Sequence, residues 1–223
     1  MNSFIFVVMK QLDSFRYQGL RRRLVDELKA RGITDRVVLA AIGKVPRHLF
    51  MDSSFVQFAY RDKAFPIGAG QTISQPYTVA FQSQLLKVNA GSKVLEVGTG
   101  SGYQAAVLAE MGVDLYSVER QSSLYKKCKT LLPAIGYPKI RLFLGDGYAG
   151  LPGFQPFDAI LVTAGALSVP RQLLLQLKVG GTLVVPVGSK VQEMTRVVRL
   201  SDDEFEQQCF GSFQFVPMLP GIV

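Results

Sequence analysis

The chain has 223 residues, of which 48% are hydrophobic and 19% are charged, and its formal net charge is +8. This composition predicts one folded α/β domain with a sizeable core and excludes a disordered chain. The apolar run at residues 4–9 is too short to span a bilayer and the two cysteines lack a metal-ligand spacing, so we expect no membrane segment, no metal site and a cytoplasmic protein with reduced thiols.

The N-terminal part is predicted to be mainly helical. Residues 1–12 are expected to form a loosely held extension. With Asp13 as its N-cap, a first helix should extend to about Arg31, and a second helix should occupy about residues 34–43.

The positive charge is densest at residues 21–23, which are three consecutive arginines in the first predicted helix. Leu20, Leu24 and Leu28 form one apolar face of that helix. No nucleic-acid-binding motif accompanies the basic run, so a solvated helix face is favoured over an RNA-binding patch. The net charge could also assist the binding of anionic peptides.

The only histidine, His48, follows the second predicted helix. A histidine can act as a general base when a carboxylate orients it, but no residue adjacent to His48 in the sequence supplies an orienting carboxylate. A partly exposed histidine in a turn is therefore the favoured interpretation.

A third helix is predicted to begin at Pro76 and to continue to about Leu86. An irregular, glycine-containing segment, residues 64–70, precedes it. Ser74 lies just before the helix and therefore at its positive end. Two roles for Ser74 are open from this pattern, a capping residue or a residue that binds an anionic substrate.

The most informative stretch is residues 94–102, where a short buried strand leads into glycines at every second position. Gly98, Gly100 and Gly102 permit a tight turn into a helix over residues 103–109, and such a turn brings backbone close to a ligand. A dinucleotide fingerprint requires the third glycine one residue later, and no Gly-Lys-Ser/Thr of a phosphate loop follows.

Glu96 stands two residues before the first of these glycines. A carboxylate would repel a pyrophosphate but suits a cationic ligand such as S-adenosylmethionine, which carries an ammonium and a sulfonium group. The pattern Glu-x-Gly-x-Gly-x-Gly resembles the first motif of S-adenosylmethionine-dependent methyltransferases. A glycine-rich turn without a ligand is the other interpretation.

From Lys93 onward, strands and helices alternate, as a doubly wound parallel sheet requires. Helices are expected at about residues 122–135 and 168–177. The expected strands are residues 93–97, 113–118, 140–144, 157–163 and 182–187, followed by an antiparallel hairpin of residues 195–200 and 204–216.

Polar residues follow several of these strands. Glu119, at the end of the second strand, is placed to accept hydrogen bonds from the two hydroxyls of a ribose. Asp146 could accept a hydrogen bond from an adenine amino group or could simply form an Asp-Gly turn. Residues 163–166 form a turn of small residues without the Asn/Asp-Pro-Pro-Tyr/Phe sequence of many base-methylating enzymes, and we expect the methyl acceptor to lie there.

Several segments together resemble the protein-L-isoaspartate O-methyltransferase family over about residues 13–220. The block Thr72 to Pro76 is far more diagnostic than the glycine loop, which other methyltransferases share. The segments that carry the resemblance are residues 45–50, 71–76, 94–102, 145–147, 163–166, 177–181 and 186–188.

The resemblance implies a class I methyltransferase fold of the Rossmann-like type. This is a doubly wound, mostly parallel seven-stranded sheet with an N-terminal helical elaboration and a C-terminal antiparallel hairpin. A single domain would occupy residues 13–223, with a substrate-side part at residues 13–87 and an S-adenosylmethionine-binding core at residues 88–223.

The resemblance also implies site residues, with Ser74 as the catalytic residue. The expected cofactor contacts are Ile73, Glu96, Gly98, Thr99, Gly100, Gly102, Glu119, Arg120, Asp146 and Gly147. The expected substrate contacts are Thr72, Ser74, Thr163, Ala164, Gly165, Ala166 and Val216.

The implied reaction is methyl transfer from S-adenosylmethionine to the free α-carboxylate of L-isoaspartyl residues, with S-adenosylhomocysteine as product. It would initiate the repair of damaged proteins and peptides. Because a carboxylate is already ionised at neutral pH, no strong base is needed. The expected enzyme is a monomer that binds isoaspartyl-containing peptides and proteins and neither nucleic acid nor membrane. A methyltransferase of a small molecule or RNA, and a non-enzymatic nucleic-acid binder, are the competing hypotheses.

Overall fold

The computed structural model describes residues 13–223, so the expected extension at residues 1–12 and its apolar run lie outside the described part. The N-terminal helices are α1 (Phe15–Ala30) and α2 (Arg36–Lys44), and two 3-10 helices follow them, Arg47–Phe50 and Ser53–Phe58. Asp13 is not the N-cap of α1, because Ser14 holds that position. The carboxylate of Asp13 instead accepts two hydrogen bonds from the Arg21 guanidinium, at 2.8 and 2.9 Å.

Two N-terminal side chains are more buried than their sequence neighbours indicated. Arg21 is only 6% exposed, whereas Arg22 and Arg23 face solvent, so the basic run is only in part a solvated face. His48 is 4% exposed rather than partly exposed. It stacks on Tyr17 and lies 2.8 Å from the Tyr60 hydroxyl, a partner 12 residues away that no local pattern indicates.

Residues 64–70, which were expected to be irregular, form part of an antiparallel hairpin. Its strands are β1 (Phe65–Gly68) and β2 (Gln71–Ile73). Gly68, Ala69 and Gly70 all have positive φ angles, which reverse the chain within the hairpin. Strand β2 then leads through Ser74 into helix α3 (Pro76–Leu85). The hairpin therefore places the Thr72 to Pro76 block.

The main sheet has seven strands in the order β5-β4-β3-β6-β7-β8-β9. The first five in this order are parallel, and β8 and β9 complete an antiparallel end. The strands are β3 (Lys93–Val97), β4 (Asp114–Glu119), β5 (Arg141–Leu144), β6 (Phe157–Val162), β7 (Leu177–Gly188), β8 (Gln192–Arg199) and β9 (Phe205–Phe213). The connecting helices are α4 (Tyr103–Glu110), α5 (Ser122–Ala134) and α6 (Arg171–Leu174), and a 3-10 helix spans Pro152–Phe154. This architecture confirms the doubly wound fold with its C-terminal hairpin.

Helix α6 and strand β7 differ from their predicted bounds. The helix over residues 168–177 is reduced to four residues, because the chain joins the sheet at Leu177. Gly180 and Gly181 do not separate a helix from a strand. They lie inside β7, at a register irregularity between the pair Phe157–Leu177 and the pair Ala159–Thr182.

The two strands of the final hairpin also differ from their predicted bounds. Strand β8 begins three residues before the expected position, at Gln192, and β9 ends at Phe213 rather than at Val216. Beyond Phe213 the chain leaves the sheet, since the Phe215 N–H donates to the Gln192 side chain and the Val216 carbonyl accepts from Gly165.

Both faces of the central strands β3 and β6 are buried, which explains their nearly unbroken apolar sequences. Val94 and Leu161 belong to one buried cluster and Leu95 and Val162 to the other, as the alternation of side chains along a strand requires. Residues of α1, α2 and α3 share the first cluster with the sheet. The division of the domain at residues 87 and 88 stays a prediction. None of the helices between residues 13 and 223 combines the length and apolar character needed to span a bilayer.

Candidate active site

A cavity, here called the main cavity, lies where the strand order reverses. Strands β4 and β6 flank β3 on opposite sides, and the connections after β3 and β6 diverge at their carboxyl ends, which is where open α/β sheets bind ligands. The cavity is lined by Gln71, Thr72, Ile73, Ser74, Val79, Val97, Gly98, Thr99, Gly100, Ser101, Tyr103, Gln104, Val118, Glu119, Arg120, Gly147, Thr163, Ala164, Val216, Pro217, Met218 and Leu219.

Glycine is required at two positions of the cavity wall. Gly98 has a φ of +97°, and a Cβ there would lie 2.5 Å from Thr163 Oγ1. Thr163 approaches this closely because its hydroxyl donates to the Gly98 carbonyl at 2.6 Å. A Cβ at Gly147 would lie 2.6 Å from Val97 Cγ1. Backbone at both positions is thus exposed to the cavity without a side chain.

The glycine loop is held from beneath by its neighbours. Thr99 Oγ1 lies 2.6 Å from the Ser117 hydroxyl, and Cys128 Sγ donates to the Gly100 carbonyl at 3.2 Å. Burial raises the pKa of the Cys128 thiol to about 12, so this cysteine stays protonated. Gly102 is the N-cap of α4. The first residues of α4, Tyr103 and Gln104, line the cavity, whereas Gly102 does not, so its expected cofactor contact stays a prediction.

Glu119 places its carboxylate at the cavity wall although it is only 5% exposed. Its two oxygens accept hydrogen bonds from the N–H groups of Gly100 and Gln121, both at 2.8 Å. A carboxylate offers about four lone pairs, so each oxygen keeps one for a ligand hydroxyl. These bonds orient the carboxylate before any ligand binds.

Glu96 occupies a different position, completely buried behind the loop and outside the cavity lining. Its Oε2 accepts a hydrogen bond from Ser117, and among the described residues Oε1 has no partner. The pKa of Glu96 is raised to about 8, mainly by burial and also by the nearby Glu119, although the Ser117 hydrogen bond lowers it. Direct contact of Glu96 with a cationic ligand stays a prediction.

Asp146 does not line the cavity, although the adjacent Gly147 does. One carboxylate oxygen accepts from the Tyr148 N–H at 2.9 Å, and the other accepts from the Gly221 N–H at 2.8 Å. The residue thus forms the Asp-Gly turn and also anchors the C-terminal segment. Its contact with adenine stays a prediction.

The segment at residues 216–219 closes the cavity on one side, and only its first residue was among the predicted contacts. Arg120 holds this segment through hydrogen bonds from its guanidinium to the carbonyls of Pro220 and Gly221. The Met218 N–H donates to the Gly165 carbonyl. Sequence analysis missed Pro217, Met218 and Leu219 because no motif marks a chain segment that returns over a distant sheet edge.

A groove adjoins the main cavity and shares Thr72, Ser74, Thr163 and Val216 with it. Several aromatic side chains line it, and the rings of two of them, Tyr77 and Phe213, stack with 6.5 Å between their centroids. The further lining residues are Arg31, Ala64, Gln75, Thr78, Val191, Phe210, Gly211, Ser212, Gln214 and Phe215. Arg31 is the one charged residue in this lining, and no local signal predicted that α1 reaches the site.

Ser74 is partly buried and lies at the junction of the cavity and the groove. It does not cap α3. Gln75 holds the N-cap position, but its side chain makes no capping hydrogen bond. The Tyr77 N–H instead donates to Asp62 Oδ1 at 2.7 Å. Of the two roles left open by the sequence, capping is excluded by this geometry.

The turn at residues 163–166 has two parts. Thr163 and Ala164 line the main cavity. Gly165 pairs with the C-terminal segment, and Ala166 is completely buried, with its backbone bonded to Pro186 and Gly188. Substrate contacts of Gly165 and Ala166 stay predictions, and their packing favours a role in holding the turn.

The strand order, the glycine loop and the acid at the end of β4 define a Rossmann-like methyltransferase. Residues 20–221 match the family model for protein-L-isoaspartate(D-aspartate) O-methyltransferase (PCMT). The chain belongs to this family.

Individual relatives are similar over nearly the whole chain. A protein-L-isoaspartate O-methyltransferase of Christiangramia forsetii is 61% identical over 207 residues, which cover 93% of this chain and 97% of that protein. The protein of the same name from Flavobacterium johnsoniae is 58% identical, with the same coverage.

Solved structures share the fold. One named protein-L-isoaspartate O-methyltransferase has a TM-score of 0.80 and 29% identity over 88% of this chain, which spans 65% of that chain. A Plasmodium falciparum structure in complex with S-adenosyl-L-homocysteine has a TM-score of 0.78 at 24% identity, covering 89% of this chain and 98% of that one.

Proposed function

We propose that this protein transfers the methyl group of S-adenosylmethionine to the free α-carboxylate of L-isoaspartyl residues and so initiates the repair of damaged proteins and peptides. The observation that carries the proposal is the position of Ser74, which lies where the main cavity meets the groove. Family membership supplies the reaction class, and the groove supplies room for an extended peptide.

The residues of the main cavity fit the cofactor. Glu119 would accept hydrogen bonds from the ribose hydroxyls, while the exposed backbone of Gly98 and Gly100 would lie against the methionine part, with Ile73 and Thr99 beside it. Arg120 and Gly147 would border the nucleoside, and Asp146, which lies outside the cavity lining, would hold the C-terminal segment beside it. When bound, S-adenosylmethionine supplies an electrophilic methyl carbon attached to a sulfonium.

The protein's task toward the acceptor is to bind and orient a carboxylate that is already ionised. The Ser74 hydroxyl can donate a hydrogen bond to it. The Thr78 N–H, in the first turn of α3, has no hydrogen-bond partner among the described residues and adds to the positive end of that helix. Orientation and the exclusion of water therefore account for the rate, without a general base.

Selection between isoaspartyl and aspartyl residues requires that the peptide backbone be held, because both residues present a carboxylate. β9 is an edge strand, and the chain that follows it, Gln214 to Val216, lines the groove. An extended peptide can pair with such a segment through main-chain hydrogen bonds and tolerate many side chains. A carboxylate displaced by about 1 Å from the in-line position would then react on the order of 100-fold more slowly.

A radiolabel-transfer assay on matched peptides tests the proposal. Peptides that differ only in an isoaspartyl or an aspartyl residue, in several flanking sequences, are compared with RNA under the same conditions. We expect transfer to every isoaspartyl peptide and almost none to the aspartyl peptides or RNA. Comparable rates on the two peptides, or transfer to RNA alone, would overturn the proposal.

The proposal includes a monomer that acts in the cytoplasm and binds no nucleic acid. Against nucleic-acid binding, the one cation of the groove lining, Arg31, is paired with Asp62 rather than free for a polyanion. Light scattering of the purified protein tests the monomeric state, and a salt-dependent RNA-binding titration tests the absence of nucleic-acid binding.

A further inference from the structure

Helix α3 obtains its N-terminal hydrogen bond from an unusual source. Pro76, its first residue, has no N–H, and the next N–H, that of Tyr77, donates to Asp62 Oδ1 at 2.7 Å. Asp62 stands 15 residues earlier in the chain, before the β1–β2 hairpin. The capping of α3 is therefore a tertiary contact rather than a local one.

A local cap was available. Serine and aspartate are among the best capping side chains, and serine hydroxyls bond N–H groups two or three residues onward. Ser74 precedes Tyr77 by three residues, so its hydroxyl is the nearest competitor for that N–H. If Ser74 capped the helix, its hydroxyl oxygen would accept the hydrogen bond from the Tyr77 N–H, and the side chain would turn away from the groove.

Asp62 is held in place by other groups. Arg31 forms an ion pair with its carboxylate, and the same guanidinium lies 3.9 Å from the centroid of the Tyr77 ring. The buried Arg47 fixes the backbone on both sides of Asp62, through hydrogen bonds to the carbonyls of Ala59 at 2.9 Å and Lys63 at 3.3 Å. The carboxylate is thus oriented independently of Ser74, and Arg31 offsets its negative charge beside the site of an anionic substrate.

We propose that Asp62 is a positioning residue, which caps α3 in place of Ser74 and leaves the Ser74 hydroxyl free to orient the substrate carboxylate. The inference rests on the proposed function for the role of Ser74. It adds that capping and catalysis compete for one hydroxyl, and that Asp62 decides the competition.

Asp35 provides a matched control. Its carboxylate caps α2 by accepting from the N–H groups of Val37 and Val38, and it lines neither the cavity nor the groove. Asp62→Ala and Asp35→Ala therefore remove the same kind of helix cap. A purely structural role for Asp62 predicts the same consequences for both variants.

The first measurement is the crystal structure of Asp62→Ala, which does not depend on activity. We expect Ser74 Oγ within hydrogen-bond distance of the Tyr77 or Thr78 N–H. If the hydroxyl still faces the groove, with the Tyr77 N–H left without a protein partner, the inference is overturned.

The second measurement is a double-mutant cycle with an isoaspartyl hexapeptide. Asp62→Ala should lower kcat on the order of 10-fold, since a misdirected group loses the alignment of the acceptor, while S-adenosylhomocysteine affinity by calorimetry and the Asp35→Ala kcat stay within about 2-fold of wild type. In the Ser74→Ala background, Asp62→Ala should change kcat by less than about 2-fold, because the residue it protects is gone. Asp62→Asn, whose Oδ1 can still accept from Tyr77, should restore most of the kcat.

The outcomes separate the two claims. An equal loss of kcat in the wild-type and Ser74→Ala backgrounds, or an equal loss from Asp35→Ala, overturns the role of Asp62. Full turnover of Ser74→Ala also overturns it, since there is then no role to protect. A wild-type protein that methylates no isoaspartyl peptide overturns the proposed function, and the crystal structure of Asp62→Ala then decides the competition for the Ser74 hydroxyl by itself.

Discussion

The parallel sheet and the N-terminal segments around it are stabilised by different kinds of contact. The strands β3 and β6 bury almost only apolar side chains, and they pair through regular ladders. The segments before residue 75 also bury apolar side chains, but they bury three charged or polar side chains as well, Arg21, Arg47 and His48. The first arrangement depends on area removed from water, and the second depends in addition on partners for its buried polar groups.

This difference matters for function because the two parts supply different halves of the site. The sheet supplies the glycine loop and Glu119 on the cofactor side, with geometry set by strand register. The N-terminal part supplies Ser74 and the groove wall, with geometry set by side-chain hydrogen bonds over long sequence separations. Substitutions in the sheet should therefore affect the cofactor side of the site, and substitutions in the N-terminal part should affect the position of Ser74 and the groove wall.

The largest effect is expected from Arg47→Ala. The side chain is completely buried, and burial lowers the pKa of its guanidinium to about 10. Truncation leaves two carbonyls without donors and opens a cavity beside Tyr103, so we expect a loss of about 3–5 kcal/mol in the free energy of unfolding. Urea denaturation measures it, with the exposed Arg22→Ala as the control. A loss below about 1 kcal/mol would contradict the dependence of this part on polar partners.

Glu96→Gln tests the completely buried carboxyl group of β3. The folded-state pKa of about 8 lies above the ordinary 4.5, so the folded protein binds more protons than the unfolded chain between these values. Wild-type stability is therefore highest below pH 4.5 in this respect and is lost as pH rises through 8. Glutamine does not titrate, so the stability of the variant relative to wild type should rise by several kcal/mol between pH 4.5 and 8. Urea titrations at several pH values measure both stabilities, and the same pH dependence in variant and wild type would refute the prediction.

Glu119→Ala probes the cofactor side without touching the N-terminal polar contacts. Loss of the charge-assisted hydrogen bonds to the ribose should weaken S-adenosylmethionine binding by about 1.5–3 kcal/mol. Calorimetry measures the affinity, and Asp114→Ala, at the opposite end of the same strand, is the control. Unchanged affinity in Glu119→Ala would remove the assignment.

The smallest effect is expected from Asp146→Ala. Its carboxylate already accepts two backbone N–H groups, so its truncation mainly releases the C-terminal segment that Gly221 anchors. We expect cofactor affinity to fall by about 1 kcal/mol, with Asp146→Asn retaining part of it. A loss as large as that of Glu119→Ala would instead show that Asp146 contacts adenine directly.

Local sequence determined most of the cofactor side. The strand-glycine-helix pattern at residues 94–109 and the acid at Glu119 were readable because each depends on neighbours within a few residues and on the fixed geometry of a parallel sheet. The predicted bounds of β3 agree with the structure. The predicted start of β7 was wrong because Gly180 and Gly181, which resembled a turn, lie at an irregularity inside the strand.

Tertiary structure decided the rest of the site. That Ser74 is free of its helix, that Arg31 reaches the groove and that residues 217–219 close the cavity all depend on contacts between segments far apart in the chain. A hydroxyl before a helix can cap it or bind a substrate, and the sequence around Ser74 is compatible with both. The choice depended on a carboxylate delivered by a separate turn, and side-chain hydrogen bonds of that kind leave no periodic pattern in a sequence.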